Sequence, residues 1–249
     1  MNYMLIIGAF VAIMLLYIAY VIITNNTLTS GVQALNSTAE IPYSKLATPA
    51  SNIYCYQGWI YLNEAAMTSR YSSVFQRANT GGQALNSANQ NKQIPNGKSL
   101  EFGMFFEGQT LKLMWGSGGS PGGSTVSSPP NTIMTVTDKF PLQKWVYFAF
   151  NVSSQNVVEA YLNGKLVKTV QASNLPRPNN QYSVYLGDTA MNGFLTKFVR
   201  TPTNMQAEAV WNTYLQGNGL NSLLGYLMPY NLNMAVSKDD IIQRQFRIF

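Results

Sequence analysis

The side chains that could do chemistry are few in this chain and widely spaced. The sequence has no histidine, which excludes His-based catalytic triads, imidazole general bases and the commonest transition-metal ligand. The acidic residues are isolated: Glu101 and Glu107 are six residues apart, and Asp239 and Asp240 lie near the end of the chain. The single cysteine, Cys55, lies in the apolar run IYCYQGWIYL and is predicted to be buried. These residues predict a protein that is not an enzyme and needs no cofactor.

The positive charge of the chain is spread over its length. The formal net charge is +6, but residues 53–217 carry twelve Lys and Arg against seven acids and contain no basic run. A surface that follows a phosphate backbone usually concentrates its cations on one stripe. The sequence therefore predicts no nucleic-acid partner.

Residues 3–24 form an uninterrupted run of 22 uncharged, mostly apolar residues. As a helix this run would extend about 33 Å, which is enough to cross the hydrocarbon core of a bilayer. A cleaved signal peptide fits less well, because the preceding residues are not basic and the apolar run is too long. We therefore predict that residues 1–24 form a single-pass membrane anchor in a lipid bilayer, with Tyr3 and Tyr20 at the membrane interfaces. No Lys or Arg lies close enough to the span to predict its orientation.

Three segments follow the predicted anchor. Residues 25–52 are polar and predict a linker or a wrapped arm, residues 53–217 predict one domain, and residues 218–249 form a C-terminal extension. In the domain, short apolar runs separated by Gly, Asn and Pro indicate an antiparallel sandwich. The sequence also predicts two long loops, at 79–98 and 116–131, which are either interaction loops or flexible connections without a function. The predicted strands are 53–62, 73–77, 100–106, 110–115, 132–137, 145–152, 157–162, 165–170, 182–187 and 193–200.

The residues after the last of these strands carry the signals of a short helix. Thr203 and Gln206 have capping-box spacing, and Val210 and Tyr214 share one helical face. Gly217 is placed to end the helix.

Asn163-Gly164, between two apolar runs, predicts a two-residue hairpin with a type I′ turn, because both central residues of that turn need positive φ. Such a turn fixes the register of the two strands that it joins. One of the predicted pairs, Glu159–Lys168, is a cross-strand ion pair. The predicted pairs are Leu162–Lys165, Tyr161–Leu166, Ala160–Val167, Glu159–Lys168 and Val158–Thr169.

The order of these elements resembles the order found in a known family. A Trp-initiated strand, WVYFAF, is followed by VVEAYLNG turning into KLVKT, then by YSVYLGD, GFLTKFVR and a short helix. This pattern over residues 145–217 resembles the laminin G-like, concanavalin A-like jelly roll, and earlier strands extend the resemblance to most of residues 53–217. The resemblance implies an all-β antiparallel jelly-roll sandwich, here preceded by one transmembrane helix and followed by a short helix and an extension. It indicates the fold and says little about activity.

The chemistry of such relatives can be compared with this sequence. Relatives that cleave β-glucans carry catalytic carboxylates in a Glu-x-Asp-x-x-Glu pattern, which is absent here. Relatives that bind Ca²⁺ cluster oxygen ligands in loops, and only Asp188 with Asn192 offers a candidate metal site; a polar turn is the favoured alternative. Sugar binding needs an exposed aromatic platform, whereas each of the four tryptophans lies in an apolar pattern that predicts a core position. Glycan binding therefore stays open without direct support from the sequence.

The end of the C-terminal extension combines basic and aromatic residues. Arg244, Phe246, Arg247 and Phe249 would suit a contact with a partner protein, because Arg and aromatic side chains are favoured at interface cores. A strand or arm that packs on the chain's own domain is an equally good interpretation.

Together these features predict a non-enzymatic structural or interaction protein at a membrane. Low charge, many Asn residues, a lone thiol, an anchor and a lectin-like domain are similar to membrane-associated minor capsid proteins of large algal DNA viruses. That resemblance implies a virion component that links an internal membrane to other capsid or membrane-associated proteins. The alternative is a membrane-anchored, carbohydrate-binding adhesin.

Overall fold

The computed structural model describes residues 11, 13–17, 27–29, 31–78, 100–116, 132–172 and 175–218, together with the backbone of two further strands, Asn233–Lys238 and Ile241–Arg247. Residues 13–17 are helical. Residue 11 is helical too, and the rest of the predicted span, including Tyr3 and Tyr20, lies outside the described residues. Within the ranges given above, no helix is long and apolar enough to cross a membrane. The membrane anchor therefore stays a prediction.

Residues 32–201 form two six-stranded antiparallel sheets. The first sheet has the strand order β1-β12-β3-β8-β9-β10, and the second has the order β2-β11-β4-β5-β6-β7. A short 3₁₀ helix, Tyr43–Lys45, lies in residues 25–52, which we call the arm, and the α-helix that follows the sheets, α1, spans Ala207–Leu215. The strands are β1 (Val32–Ala34), β2 (Ala39–Ile41), β3 (Tyr54–Leu62), β4 (Ser72–Ala78), β5 (Leu100–Glu107), β6 (Thr110–Trp115), β7 (Thr132–Thr137), β8 (Trp145–Val152), β9 (Val157–Leu162), β10 (Lys165–Gln171), β11 (Ser183–Leu186), β12 (Gly193–Thr201), β13 (Asn233–Lys238) and β14 (Ile241–Arg247).

The predicted antiparallel sandwich is confirmed. Each of the ten predicted strands is present, and their ends differ from the prediction by no more than one residue. The segment 25–52 is more than a linker, because it adds one edge strand to each sheet. Strand β1 pairs with β12 and β2 pairs with β11. In the C-terminal extension, the backbones of β13 and β14 pair as an antiparallel hairpin.

The core between the two sheets is rich in aromatic rings. Alternate residues of β8 face opposite sides: Phe148 and Phe150 join the core between the sheets, while Tyr147 and Ala149 face the other side. The rings of Phe75 and Phe198, from opposite sheets, have centroids 5.0 Å apart. Strand β8 is therefore covered on both faces, which explains why its sequence is apolar throughout.

The hairpin of β9 and β10 follows the predicted register only next to its turn. Lys165 pairs with Leu162 and Leu166 with Tyr161, as expected. A bulge between Leu166 and Lys168 then shifts the register by one residue, so Lys168 opposes Ala160 and Thr169 opposes Glu159. The predicted Glu159–Lys168 ion pair and the Ala160–Val167 and Val158–Thr169 pairs are therefore wrong.

Helix α1 packs on the outer face of the first sheet. Val210 is fully buried there, and Gly217 has a φ of +70° just after the helix, as its predicted role requires. The predicted capping box is wrong, because Gln206 occupies the N-cap position and makes no side-chain capping bond. The backbone just before the helix is instead bound by the side chain of Asn151. Its Nδ2 donates to the carbonyl of Met205 (2.8 Å), and its Oδ1 accepts from the Met205 N–H (3.1 Å).

Candidate functional site

An open cleft lies on the outer surface of the first sheet, where α1, the start of β8 and the β9–β10 turn meet. Its volume is about 390 Å³. We call it the aromatic cleft, and its lining residues are Trp59, Lys144, Trp145, Asn163, Tyr214 and Leu215.

Neighbouring strands supply the floor of the aromatic cleft. Strands β3 and β8 pair with Trp59 opposite Tyr147 and Tyr61 opposite Trp145, so four large rings point away from the core. The Trp59 and Tyr147 rings have centroids 5.4 Å apart, and those of Tyr61 and Trp145 are 5.6 Å apart. Trp59 is almost completely buried, whereas Trp145 is only half-buried. The rings therefore form a supported surface rather than loose exposed side chains.

Helix α1 supplies the wall of the cleft. The Tyr214 ring stacks on Trp59 with centroids 5.8 Å apart and an interplanar angle of 22°. Trp211 lies beside Tyr214 and is 40% exposed, and Leu215 is 62% exposed. The helix packs closely on the β9–β10 turn because residue 164 is a glycine. A Cβ atom at that position would lie 2.6 Å from the Trp211 ring.

Two polar side chains complete the lining. The Asn163 Oδ1 accepts a hydrogen bond from the Tyr147 N–H (3.0 Å), and its Nδ2 has no partner among the described residues. Lys144 is exposed and brings a positive charge to the rim. Among the described residues, no carboxylate belongs to the lining, so this part of the chain offers the cleft no acid–base pair of the kind that cleaves a glycosidic bond.

Lys197 fixes the end of the helix that carries the wall. Its Nζ donates at 3.1 Å to the carbonyl of Gly217, two residues beyond the last residue of α1, and so places a positive charge near the helix C-terminus. The backbone of Lys197 has a φ of +49° in an irregular part of β12. Burial lowers the pKa of the Lys197 ammonium group.

The predicted metal ligands, Asp188 and Asn192, have separate partners. The buried Asp188 carboxylate forms an ion pair with Arg70 and accepts from the Ala190 N–H (3.0 Å). The exposed Asn192 side chain accepts a hydrogen bond from Asn63 and donates one to Glu64, so the two candidate ligands have different partners. In the described part of the chain, no group of three or more His, Cys, Asp or Glu side chains could hold a metal.

The predicted partner contacts lie at the end of the chain. Arg244, Phe246 and Arg247 belong to β14, for which only the backbone is described, and Phe249 lies outside the described residues. Their role as an interface stays a prediction.

The prediction that all four tryptophans lie in the core is wrong for two of them. Trp59 and Trp115 are buried as predicted, but Trp211 is 40% exposed and Trp145 is half-buried. One signal was available: Val210 and Tyr214 define the buried face of α1, and the adjacent Trp211 falls about 100° away from Val210 on a helix of 3.6 residues per turn. Cys55 is fully buried beneath the helix, and burial raises the pKa of its thiol to about 12.

The chain matches a family model, the concanavalin A-like lectin/glucanases superfamily of laminin G type, over residues 33–216. It therefore belongs to that superfamily. A comparison with curated proteins found no match.

Among solved structures, the chain is similar to the ligand-binding domain of botulinum neurotoxin serotype D in complex with N-acetylneuraminic acid, with 10% identity and a TM-score of 0.50. It is also similar to the binding domain of botulinum neurotoxin DC in complex with rat synaptotagmin II, with 9% identity and a TM-score of 0.50. The matches cover 75% and 72% of this chain but only 42% and 39% of those chains. These likenesses support the fold.

Proposed function

We propose that this chain is a non-enzymatic interaction protein that recognises a ligand through the aromatic cleft and is held at a membrane by residues 1–24. The observation that carries the proposal is the cleft itself. Large rings are normally buried or partnered, and here Trp59, Trp145 and Tyr214 line an open cleft beside the Asn163 amide, whose Nδ2 has no partner among the described residues.

The ligand class that best fits this cleft is a saccharide. The apolar face of a sugar ring packs on an aromatic side chain, and its hydroxyls can accept hydrogen bonds from the Nδ2 of Asn163 and the Nζ of Lys144. The missing carboxylates make this a binding site and not a hydrolytic one. The two solved relatives are complexes with N-acetylneuraminic acid and with synaptotagmin II respectively, which is compatible with a recognition role.

A glycan array probed with the full-length chain in detergent micelles tests this proposal. We expect binding to selected oligosaccharides, no turnover of them, and no loss on adding a calcium chelator. Trp145→Ala should weaken binding at least tenfold, because it removes a ring of the cleft. The control is Tyr43→Ala, which removes an exposed ring from the arm. Binding that is absent, or that Tyr43→Ala weakens as much as Trp145→Ala, would contradict the proposal.

A second candidate function is a structural link between an internal membrane and the shell of a virion. The observation that favours it is that the arm is hydrogen-bonded to both sheets. Strands β1 and β2 pair with different sheets, so a load on the N-terminal segment is shared by the whole sandwich. If purified particles contain the protein, release it only with detergent and show crosslinks to shell proteins, this role is supported. Its absence from particles would exclude the role.

A further inference from the structure

A row of three aromatic rings crosses the outer face of the first sheet and begins at the aromatic cleft. The strand register pairs Phe194 of β12 with Tyr61 of β3, and Tyr61 in turn with Trp145 of β8. The Phe194 and Tyr61 rings have centroids 6.4 Å apart, and the Tyr61 and Trp145 rings have centroids 5.6 Å apart. Trp145 also lines the cleft. We call these three residues the aromatic row.

The aromatic row faces outward and is accessible to a ligand. Side chains alternate between the two faces of a strand, and each ring of the row is followed in sequence by a residue of the core between the sheets. Those core residues are Leu62, Leu195 and Val146. Phe194 is 38% exposed, and Tyr61 and Trp145 are half-buried. The three rings therefore form one apolar surface that continues the cleft towards the β1 edge of the sheet.

Amide side chains lie beside the aromatic row, at the same ends of the same three strands. Each is two residues away from one of the rings, and together they form what we call the amide row: Asn192, Asn63 and Gln143. The Asn63 Nδ2 donates to Asn192 Oδ1 (2.6 Å), and the Gln143 Nε2 donates to the carbonyl of Asn63 (3.5 Å). The Asn192 Nδ2 donates to the exposed carboxylate of Glu64 (2.8 Å). The amides therefore follow the order of the rings and offer both donors and acceptors beside them.

An apolar row with a polar row beside it matches the chemistry of an extended sugar chain. A β-1,4-linked pyranose chain is a straight ribbon, with C–H groups on its flat faces and hydroxyls along its edges. Neighbouring strands of a sheet are about 4.8 Å apart, which is close to the length that each sugar unit adds to such a ribbon. Consecutive units can therefore lie on consecutive rings while their hydroxyls reach the amides.

We infer that the aromatic row and the amide row extend the aromatic cleft into a site for a linear, β-1,4-linked oligosaccharide that lies across β8, β3 and β12. This inference rests on the proposed function, because the chain enters the same cleft. It adds that several sugar units are bound along the chain, whereas the cleft by itself would recognise one terminal unit.

The test is calorimetric titration of the full-length chain, in a detergent without a sugar headgroup, with two β-1,4-linked series: cello- and chito-oligosaccharides from the disaccharide to the hexasaccharide. We expect affinity for at least one series to rise about tenfold or more with length and then to level off, because each added unit gains a ring until Phe194 is covered. Malto-oligosaccharides of the same lengths are the matched ligands. Their α-1,4 linkages make the chain coil, so they should show no such rise.

Variants of Phe194 test the far end of the aromatic row. Phe194→Ala should remove the last step of the rise with length, and Phe194→Trp should keep it, because that variant retains a ring. Leu166→Ala is the matched control, since Leu166 is an exposed apolar side chain on β10 of the same sheet. It should keep the whole rise. The thermal midpoint of each variant shows whether it is folded.

The outcomes separate this inference from the proposed function. Equal affinity for the disaccharide and the hexasaccharide would overturn the inference and leave saccharide binding in the cleft standing, as would a rise that Phe194→Ala does not change. Array ligands without binding of either β-1,4-linked series would have the same meaning. Failure of every saccharide to bind would overturn both. If Phe194→Ala instead turns a self-associated chain into monomers in sedimentation, the row is an interface between copies and the inference is wrong.

Discussion

Gly164 lies directly beneath the indole of Trp211, so closely that a Cβ atom at Gly164 would be 2.6 Å from the ring. The same glycine has a φ of +77° and completes the β9–β10 turn. One residue therefore sets the turn of the hairpin and the distance at which α1 packs on it.

Gly164→Ala should destabilise the protein and displace the wall of the aromatic cleft. The alanine is strained at positive φ, which costs about 1 kcal/mol, and it also clashes with Trp211, so a total loss of about 2–4 kcal/mol is expected in denaturant unfolding. Gly217→Ala is the matched control, because Gly217 has a φ of +70° and a Cβ atom added there would meet nothing within 4 Å. Equal losses in the two variants would show that the Trp211 contact is unimportant.

Asn163→Gly should separate ligand binding from folding. Glycine accepts the positive φ of Asn163 and keeps the turn, but it removes the amide that bonds the Tyr147 N–H and faces no other partner among the described residues. We expect a stability loss of about 1 kcal/mol and a larger proportional loss of saccharide affinity. Calorimetric titration with a saccharide identified on the array measures the second effect. Unchanged affinity would remove Asn163 from the binding site.

Glu101 makes stability depend on pH. Burial raises the pKa of its carboxyl from 4.5 to about 7, although Arg77 opposes the rise. The folded state then binds the proton more tightly than the unfolded state, so the free energy of unfolding should fall as pH rises from about 4.5 to about 7. Glu101→Gln should remove this slope, whereas Glu208→Gln, on the exposed helix surface, should keep it. A Glu101→Gln variant with an unchanged slope would contradict the assignment.

Removing one partner of the Arg77–Glu101 pair should destabilise the protein more than replacing both partners with apolar residues. Arg77→Met removes the counter-charge that is bonded to the buried Glu101 carboxylate, although Arg200 still acts on it, and frees the carbonyls of Pro49 and Asn179, so a loss of about 3–5 kcal/mol is expected. Adding Glu101→Leu should recover part of that loss, because it removes the unpaired charge. Denaturant unfolding of the two single variants and the double variant gives the coupling directly. Additive losses would mean that the two side chains act independently.

Much of the fold could be predicted from local signals. The strand limits follow from apolar runs bounded by Gly, Asn and Pro, and the turn at Asn163-Gly164 predicted the correct pairs next to it. The bulge after Leu166 has no local signal, because one strand of a hairpin can slip without any change in the turn. Strands β1 and β2 were missed for a similar reason: each has three residues, and the sheet edges that they complete are far away in sequence.

The candidate site was harder to predict because its parts are distant in sequence. Trp59, Trp145, Asn163 and Tyr214 meet only after β3, β8, the hairpin turn and α1 have packed together. The buried charges were also hidden, since Arg77 and Glu101 look like ordinary polar positions in alternating strands. Only tertiary packing shows that they face each other across β4 and β5.

The short strands of the arm pair along one edge of each sheet. Without β1 and β2, the backbone groups of β12 and β11 would face solvent along two open edges, and such edges pair readily with other chains. A protein shortened to begin at residue 53 would lose the core side chains of Leu35, Ile41 and Leu46 and would gain two exposed strand edges. The arm therefore completes one side of both sheets.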